Sequence, residues 1–147
     1  MAPYLALVRE DAPKPPCIER AAEYGKPLAF HVGADSYENT HPYGLGNLAG
    51  RFPEVEFLMV HMGGAALPPL SRAAIEIATR HRNVTIIGSA IPENAVLEAI
   101  EQVGAGRVCF GSDTPFFMMH VRLAMYRALV LGGNILRVLG FYRSEGR

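Results

Sequence analysis

Glu56-Phe-Leu-Met-Val-His61, followed at once by Met62-Gly63-Gly64, is the stretch that decides the fold. Four apolar residues run in sequence with no polar alternation, and two glycines close the run. That is the pattern of a short strand covered on both faces, as in a parallel sheet, rather than one with a wet side. The flanks agree. Upstream, a Pro42-led helix runs through Arg51 and is stopped by Phe52-Pro53. Downstream, Leu70 to Arg82 carries Ala73, Ile75, Ile77 and Ala78 at helical spacing, with basic residues in its last turn.

The same rhythm extends in both directions. Cys17 to Tyr24 reads as a helix ended by Gly25, and Pro27-Leu-Ala-Phe-His-Val32 as a strand ended by Gly33. A polar loop, Ala34 to His41, follows it. Val84-Thr-Ile-Ile-Gly88 is the third strand. Pro92 opens a helix whose core face is Ala95, Val96, Ala99, Ile100 and Val103. Gly104-Ala-Gly106 ends that helix, and Arg107-Val-Cys-Phe-Gly111 is the fourth strand. Phe116 to Leu139 is helical in pattern, with an interruption expected at Gly132-Gly133. Four strands alternating with helices predict right-handed βαβ units in an α/β fold with a parallel sheet, as one domain over residues 1–147.

Three ionisable residues then occupy equivalent places. His31 ends the first strand, His61 ends the second, and Asp113 lies just past the fourth. Strand C-termini of a parallel sheet share one edge, where neighbouring strands lie roughly 5 Å apart. α/β folds place their ligands at that edge. Two imidazoles and a carboxylate suit a divalent ion such as zinc, which takes three protein ligands and keeps a position for water. Taken singly, each residue has a plain structural explanation: a histidine ending a strand, or an aspartate capping a helix in Asp113-Thr-Pro. Their agreement on one sheet edge is what those explanations do not predict.

Other candidates have simpler accounts. Thr40-His41-Pro42 is ordinary turn chemistry before a helix, although His41 has the reach to line a pocket. His81 sits between Arg80 and Arg82 in the last turn of a helix, where the dipole and solvent explain it. His120, among Met118, Met119 and Val121, reads as a partly buried helix residue, and Ser112 and Thr114 flank and orient Asp113. Met62-Gly63-Gly64 lies at the right strand end for a phosphate, but no complete glycine-rich nucleotide motif surrounds it, and Gly104 and Gly106 lie at the wrong end.

The bulk numbers narrow the classes. Fourteen basic and 14 acidic residues leave a formal net charge of zero over 147 residues, so neither nucleic acid nor an acidic membrane surface has an electrostatic footprint to read. Cys17 and Cys109 fit no metal or redox spacing, and two reduced, largely buried thiols are expected. There is no signal-peptide pattern and no apolar run of membrane-spanning length, so a cytoplasmic location is the default expectation. The opening apolar piece runs straight into Pro13, Pro15 and Pro16, and reads as the tail of an element that began earlier.

At these same residues the chain resembles a known group. Leu28-Ala-Phe-His-Val-Gly33, Ala49-Gly-Arg-Phe-Pro53 and Phe57-Leu-Met-Val-His-Met-Gly-Gly64 are similar to the middle strands of amidohydrolase-superfamily barrels. Arg107-Val-Cys-Phe-Gly-Ser-Asp-Thr-Pro-Phe116 resembles the last-strand motif of the aminocarboxymuconate-semialdehyde decarboxylase-like branch. Gly133-Asn-Ile-Leu-Arg-Val-Leu-Gly140 resembles its terminal helix. The likeness runs from Pro16 to Phe141. It implies the C-terminal half of a TIM (β/α)₈ barrel, strands five to eight. It also implies roles: His31 a metal ligand, His61 an acid/base near the metal or a ligand to a second ion, and Asp113 a ligand that also handles the water proton. Zinc is the implied ion, with manganese the alternative.

Two features of the branch have no match here, the first-strand His-x-His pair and a fourth-strand carboxylate or lysine. The expected protein is therefore a metal-dependent hydrolase or non-oxidative decarboxylase of a small carboxylate, ester, lactone or amide, whose metal site is completed by missing N-terminal strands. Either the chain is a piece of a longer protein, or it self-associates or pairs with a chain supplying the other half-barrel. The competing readings are a non-catalytic half-barrel remnant and a small phosphate or nucleotide binder using the same edge.

Overall fold

The computed structural model describes residues 14–33, 37–64 and 67–138. The opening segment, residues 34–36 of the first loop and the expected helix end at Leu139 lie outside the described residues. The chain divides into two compact units, one running to Gly111 and one beginning at Ser112.

The first unit alternates as the apolar pattern requires. It contains α1 (Pro16–Tyr24), β1 (Leu28–His31), α2 (Tyr37–Thr40), α3 (Pro42–Arg51), β2 (Phe57–Val60), α4 (Pro68–Arg80), β3 (Val84–Ile87), α5 (Glu93–Val103) and β4 (Val108–Cys109). The strands lie side by side in chain order and all pairs are parallel. The register aligns Leu28, Phe57 and Val84 in one row, and His31, Val60, Ile87 and Cys109 in another. α3 packs on β2, α4 on β3 and α5 on β4, and α4 also packs on both α3 and α5. They form one layer over one face of the sheet.

Side chains alternate across a strand, so this layer sorts the residues. Phe57, Met59, Val84 and Ile86 are wholly buried against Leu45, Leu48, Ile75, Ile77, Val96 and Ala99 of the helices. The opposite row is not. Leu58, Val60, Thr85 and Ile87 are half-buried, and Ala29, His31 and Cys109 are exposed. The expectation of strands covered on both faces is thus corrected: the helix layer covers one face only. The expectation of buried thiols is corrected too. Cys17 and Cys109 are both exposed, Cys17 beside the Ile18 and Ala21 positions that α1 buries, Cys109 on the uncovered row.

At the N-terminal edge of the sheet, two polar side chains gather backbone carbonyls. The Asn83 amide donates to the carbonyls of Ala49 (3.1 Å), Phe52 (3.2 Å) and Val55 (3.0 Å), tying the end of α3 to the turn before β3. Arg107 donates from Nη1 to Ala78 (2.7 Å) and His81 (3.1 Å), closing the end of α4. β4 is two residues long rather than the five expected: Arg107 belongs to a 3₁₀ turn at Ala105–Arg107, and the strand ends at Cys109.

In the second unit a turn at Asp113–Phe117 precedes α6 (Met119–Val138). The expected break at Gly132-Gly133 does not occur. A glycine costs a helix about 1 kcal/mol relative to alanine but keeps its N–H and clashes with nothing, so a long helix absorbs two of them. His120, expected partly buried, is exposed. No helix among the described residues is long and apolar enough to cross a membrane.

Two glycines with positive φ make a matched test. Gly25 (φ +58°) ends α1 in open space, whereas a Cβ on Gly33 (φ +74°) would fall 1.5 Å from the Gly63 carbonyl oxygen. Gly25→Ala should cost about 1 kcal/mol, the left-handed penalty alone. Gly33→Ala should cost about 3 kcal/mol or more, because backbone must move. Denaturant unfolding of the two variants checks the ordering. By the same measurement Asn83→Ala should cost about 2 kcal/mol, as buried carbonyls lose their donor.

Candidate functional site

The C-terminal edge of the sheet is where the backbone departs most from regular geometry. His61 (φ +62°) and Met62 (φ +44°) follow β2, Ala90 (φ +56°) follows β3 by three residues, and Gly33 follows β1 by two. Left-handed non-glycine residues are uncommon, and two in succession at one strand end store conformational energy. Such distortion re-aims side chains that a regular strand would send elsewhere.

Its effect on the histidines is direct. His31 is the last residue of β1 and pairs in register with Val60, so His61 lies one residue further along the adjacent strand. The left-handed turn brings the His61 ring against that of His31. The rings meet edge to face, with centroids 4.7 Å apart and planes at 80°. Gly33 and Gly63 permit this approach, because a side chain on either would collide with its neighbours.

Burial differs sharply between the two. His31 is exposed, whereas His61 is 6 % exposed. A buried imidazole needs partners, and Ser89 provides two. His61 Nδ1 lies 2.9 Å from the Ser89 hydroxyl and 3.2 Å from the Ser89 carbonyl oxygen. Ser89 is 4 % exposed, and Gly111, beyond β4, is packed so close that a Cβ there would sit 2.6 Å from the Ser89 Cβ. His31, His61, Ser89 and Gly111 thus form a chain of contacts across the four strand ends.

The donor set suits a divalent ion. Two imidazoles on one tetrahedral zinc, each with Zn–N near 2.0–2.1 Å, place their ring centres roughly 5 Å apart, close to the spacing of His31 and His61. Among the described residues no cluster of three or more His, Cys, Asp or Glu side chains forms a cage.

Asp113 belongs to the second unit. It takes φ +58°, and its carbonyl accepts the Phe116 N–H at 2.9 Å and the Phe117 N–H at 3.3 Å. Ser112 and Thr114 bond to each other across it, hydroxyl to hydroxyl at 3.0 Å, and shape the turn. His41 and His81 behave as their plain readings require. His41 Nδ1 accepts the Tyr43 N–H at 3.3 Å as an N-cap of α3. His81 caps the end of α4 and, with Arg80, Arg82, Glu56 and Asn83, lines an open groove of about 470 Å³. That groove lies at the N-terminal edge of the sheet, the end opposite the histidine pair.

Ser89 is the residue that sequence reasoning missed. Its signal was available, since Gly88-Ser89 follows β3 as Met62-Gly63 and His61 follow β2. A serine beside glycine reads as a turn, however, and its partner lies 28 residues away.

No curated protein matches the chain. Among solved structures it is similar to an amidohydrolase from Burkholderia multivorans with bound zinc, with TM-score 0.70 and 15 % identity over 90 % of this chain and 54 % of that one. It is also similar to 5-carboxyvanillate decarboxylase from Sphingomonas paucimobilis, with TM-score 0.56 and 20 % identity over 84 % and 52 %. A dihydroxybenzoic acid decarboxylase from Polaromonas with bound manganese and 2-nitroresorcinol matches at TM-score 0.52 and 15 % identity, over 74 % and 45 %. The chain spans about half the length of these relatives. Likeness at such identities speaks to fold, and the fold is that of half an amidohydrolase TIM barrel, four parallel strands alternating with helices. An amidohydrolase model matches the sequence itself over residues 6–141, and with that match the strand order has its explanation: the chain belongs to the amidohydrolase family.

Proposed function

We propose that the chain forms the second half of a metal-dependent hydrolase or non-oxidative decarboxylase acting on a small carboxylate, ester, lactone or amide. The observation that carries this reading is the edge-to-face pair of His31 and His61 at adjacent strand ends, with His61 anchored at Nδ1. Solved relatives with bound zinc and with bound manganese support the choice of ion.

In this reading His31 and Asp113 hold the ion, and His61 serves beside it as acid/base or as a further ligand. The ion, when bound, lowers the pKa of a water and polarises a substrate carbonyl. The protein's own part is positional. Buried His61 is held in place by Ser89 at Nδ1, and in this reading its imidazole moves the proton. The half-buried row of Leu58, Val60 and Ile87 gives an apolar floor on which the carbon skeleton of a small substrate rests.

The same reading assigns an occupant to the open face of the sheet, the other four βα units of a family barrel. The solved relatives extend to roughly twice the matched length, and a parallel sheet whose edge strands β1 and β4 pair with no further strand among the described residues is otherwise exposed to aggregation. The exposure of Ala29, His31 and Cys109 also favours a second reading, in which this stretch alone binds metal and turns nothing over.

Zinc titration of the chain, followed by calorimetry, tests the metal assignment. His31→Ala and His61→Ala should each weaken binding by about 10-fold or more. In the complete barrel, loss of His61 or Asp113 should reduce turnover by about 10²-fold or more. A complete, folded barrel that neither retains nor responds to divalent metal would contradict the proposal. So would turnover unchanged in these variants.

A further inference from the structure

The open groove of about 470 Å³ at the N-terminal edge of the sheet takes no part in the proposed reaction, and it is lined by donors that the fold leaves unused. Arg80, His81 and Arg82 line it together with Ala49, Gly50 and Pro53. The carboxylates around it are already engaged. Glu76 pairs with Arg80 and accepts the Tyr43 hydroxyl at 3.0 Å, and Glu54 pairs with Lys14. Glu56 accepts the Thr85 hydroxyl at 2.6 Å, and Thr85 belongs to the half-buried row on the face that the helix layer leaves open. The His81 ring and the Arg82 guanidinium, by contrast, have no hydrogen-bond or ion-pair partner among the described residues.

Two helices, α3 and α4, end at this groove, and the C-terminus of a helix ordinarily repels an anion. Here the carbonyls responsible are already taken. Asn83 donates to those of Ala49, Phe52 and Val55, and Arg107 to those of Ala78 and His81 while adding a full positive charge. The His81 ring is also held in place. A Cβ on Gly50 would lie 3.1 Å from His81 Cε1, so the ring rests against bare α3 backbone, where alanine, the better helix former, would push it away. We infer that the groove binds a small phosphate monoester, its phosphoryl group on Arg82 and the His81 ring and its apolar body on Ala49 and Pro53. A guanidinium fork pairs with two phosphate oxygens at once, and a tetrahedral oxyanion keeps a third for a second donor, which a flat carboxylate lacks. The volume exceeds what bare phosphate fills and falls in the range of small-ligand pockets. Because the groove lies at the strand ends opposite His31 and His61, it is a second site, independent of the metal reading.

The test is titration of the ¹⁵N-labelled 147-residue chain with phenyl phosphate, inorganic phosphate and benzoate, without added metal and at constant ionic strength set with sodium chloride. A pH of about 7.5 makes the monoester a dianion. Amide signals of Gly50, Arg80, His81, Arg82 and Asn83 are the readout. Phenyl phosphate should shift them saturably, and inorganic phosphate and benzoate should each bind about five-fold more weakly, the first for want of a body and the second for want of a third oxygen. Arg82→Gln should weaken phenyl phosphate by about 10-fold, and Gly50→Ala, which displaces the His81 ring, by about five-fold. Arg72→Gln removes the same charge from an exposed site on α4 outside the groove and should stay within about two-fold of wild type. Shifts that do not saturate would overturn the inference. So would benzoate binding as tightly as phenyl phosphate, or Arg82→Gln losing no more affinity than Arg72→Gln.

Discussion

The close approach of two backbone segments, at Gly33 and Gly63, is the constraint on which the rest of the site depends. The Gly63 carbonyl occupies the space a side chain on residue 33 would need. Because the chain passes so near itself there, the strand ends of β1 and β2 are drawn together beyond their last ladder pair, His31 with Val60. The left-handed turn at His61 and Met62 follows from the same crowding, and the edge-to-face contact of the two imidazoles follows from the turn. A regular strand continuing through His61 would alternate that side chain to the other face of the sheet from Val60, toward the helix layer. Strained backbone thus sets the direction of the His61 side chain, while the regular ladder beneath it sets its height.

Much of this was legible in the sequence, for identifiable reasons. Unbroken apolar runs ended by glycine gave all four strands, because burial needs apolar residues and strand ends need permissive backbone. The rule that strand C-termini share an edge then placed His31 and His61 together without any knowledge of register. What the sequence did not reveal lies in long-range contacts and in coverage. Ser89 and His61 are 28 residues apart, and no local pattern pairs a serine with a particular histidine. Gly33 looked like a plain strand terminator, and only the fold shows that it meets Gly63. The exposure of Cys109 depends on which face the helices cover, and apolar Val60 and Ile87 in the same row gave no warning of it. Continuous helix through Gly132 and Gly133 shows the reverse error, where local propensity was given too much weight against cooperative helix length.

The energetic picture is one-sided in a literal sense. The face toward α3, α4 and α5 is packed to full burial at Phe57, Met59, Val84 and Ile86, and the N-terminal edge is sealed where Asn83 and Arg107 gather carbonyls. The opposite face and the opposite edge carry the exposed histidine, the half-buried apolar row and the strained turns. The packing that holds the fold and the proposed site therefore lie at opposite ends of the same strands, the division seen in barrel enzymes generally. The division also explains why an open groove with Arg80, His81 and Arg82 is not the candidate site: it belongs to the end that holds the fold together.

The central claim is that His31 and His61 serve one divalent ion. With ring centroids 4.7 Å apart, an ion bound at either ring lies within a few ångströms of the other. Paramagnetic broadening by substoichiometric manganese, read on the histidine ring signals of the chain, measures this directly. The account predicts that His31 and His61 broaden together and first, ahead of His41, His81 and His120. Broadening that begins at His81, or that reaches His31 while leaving His61 sharp, would contradict it.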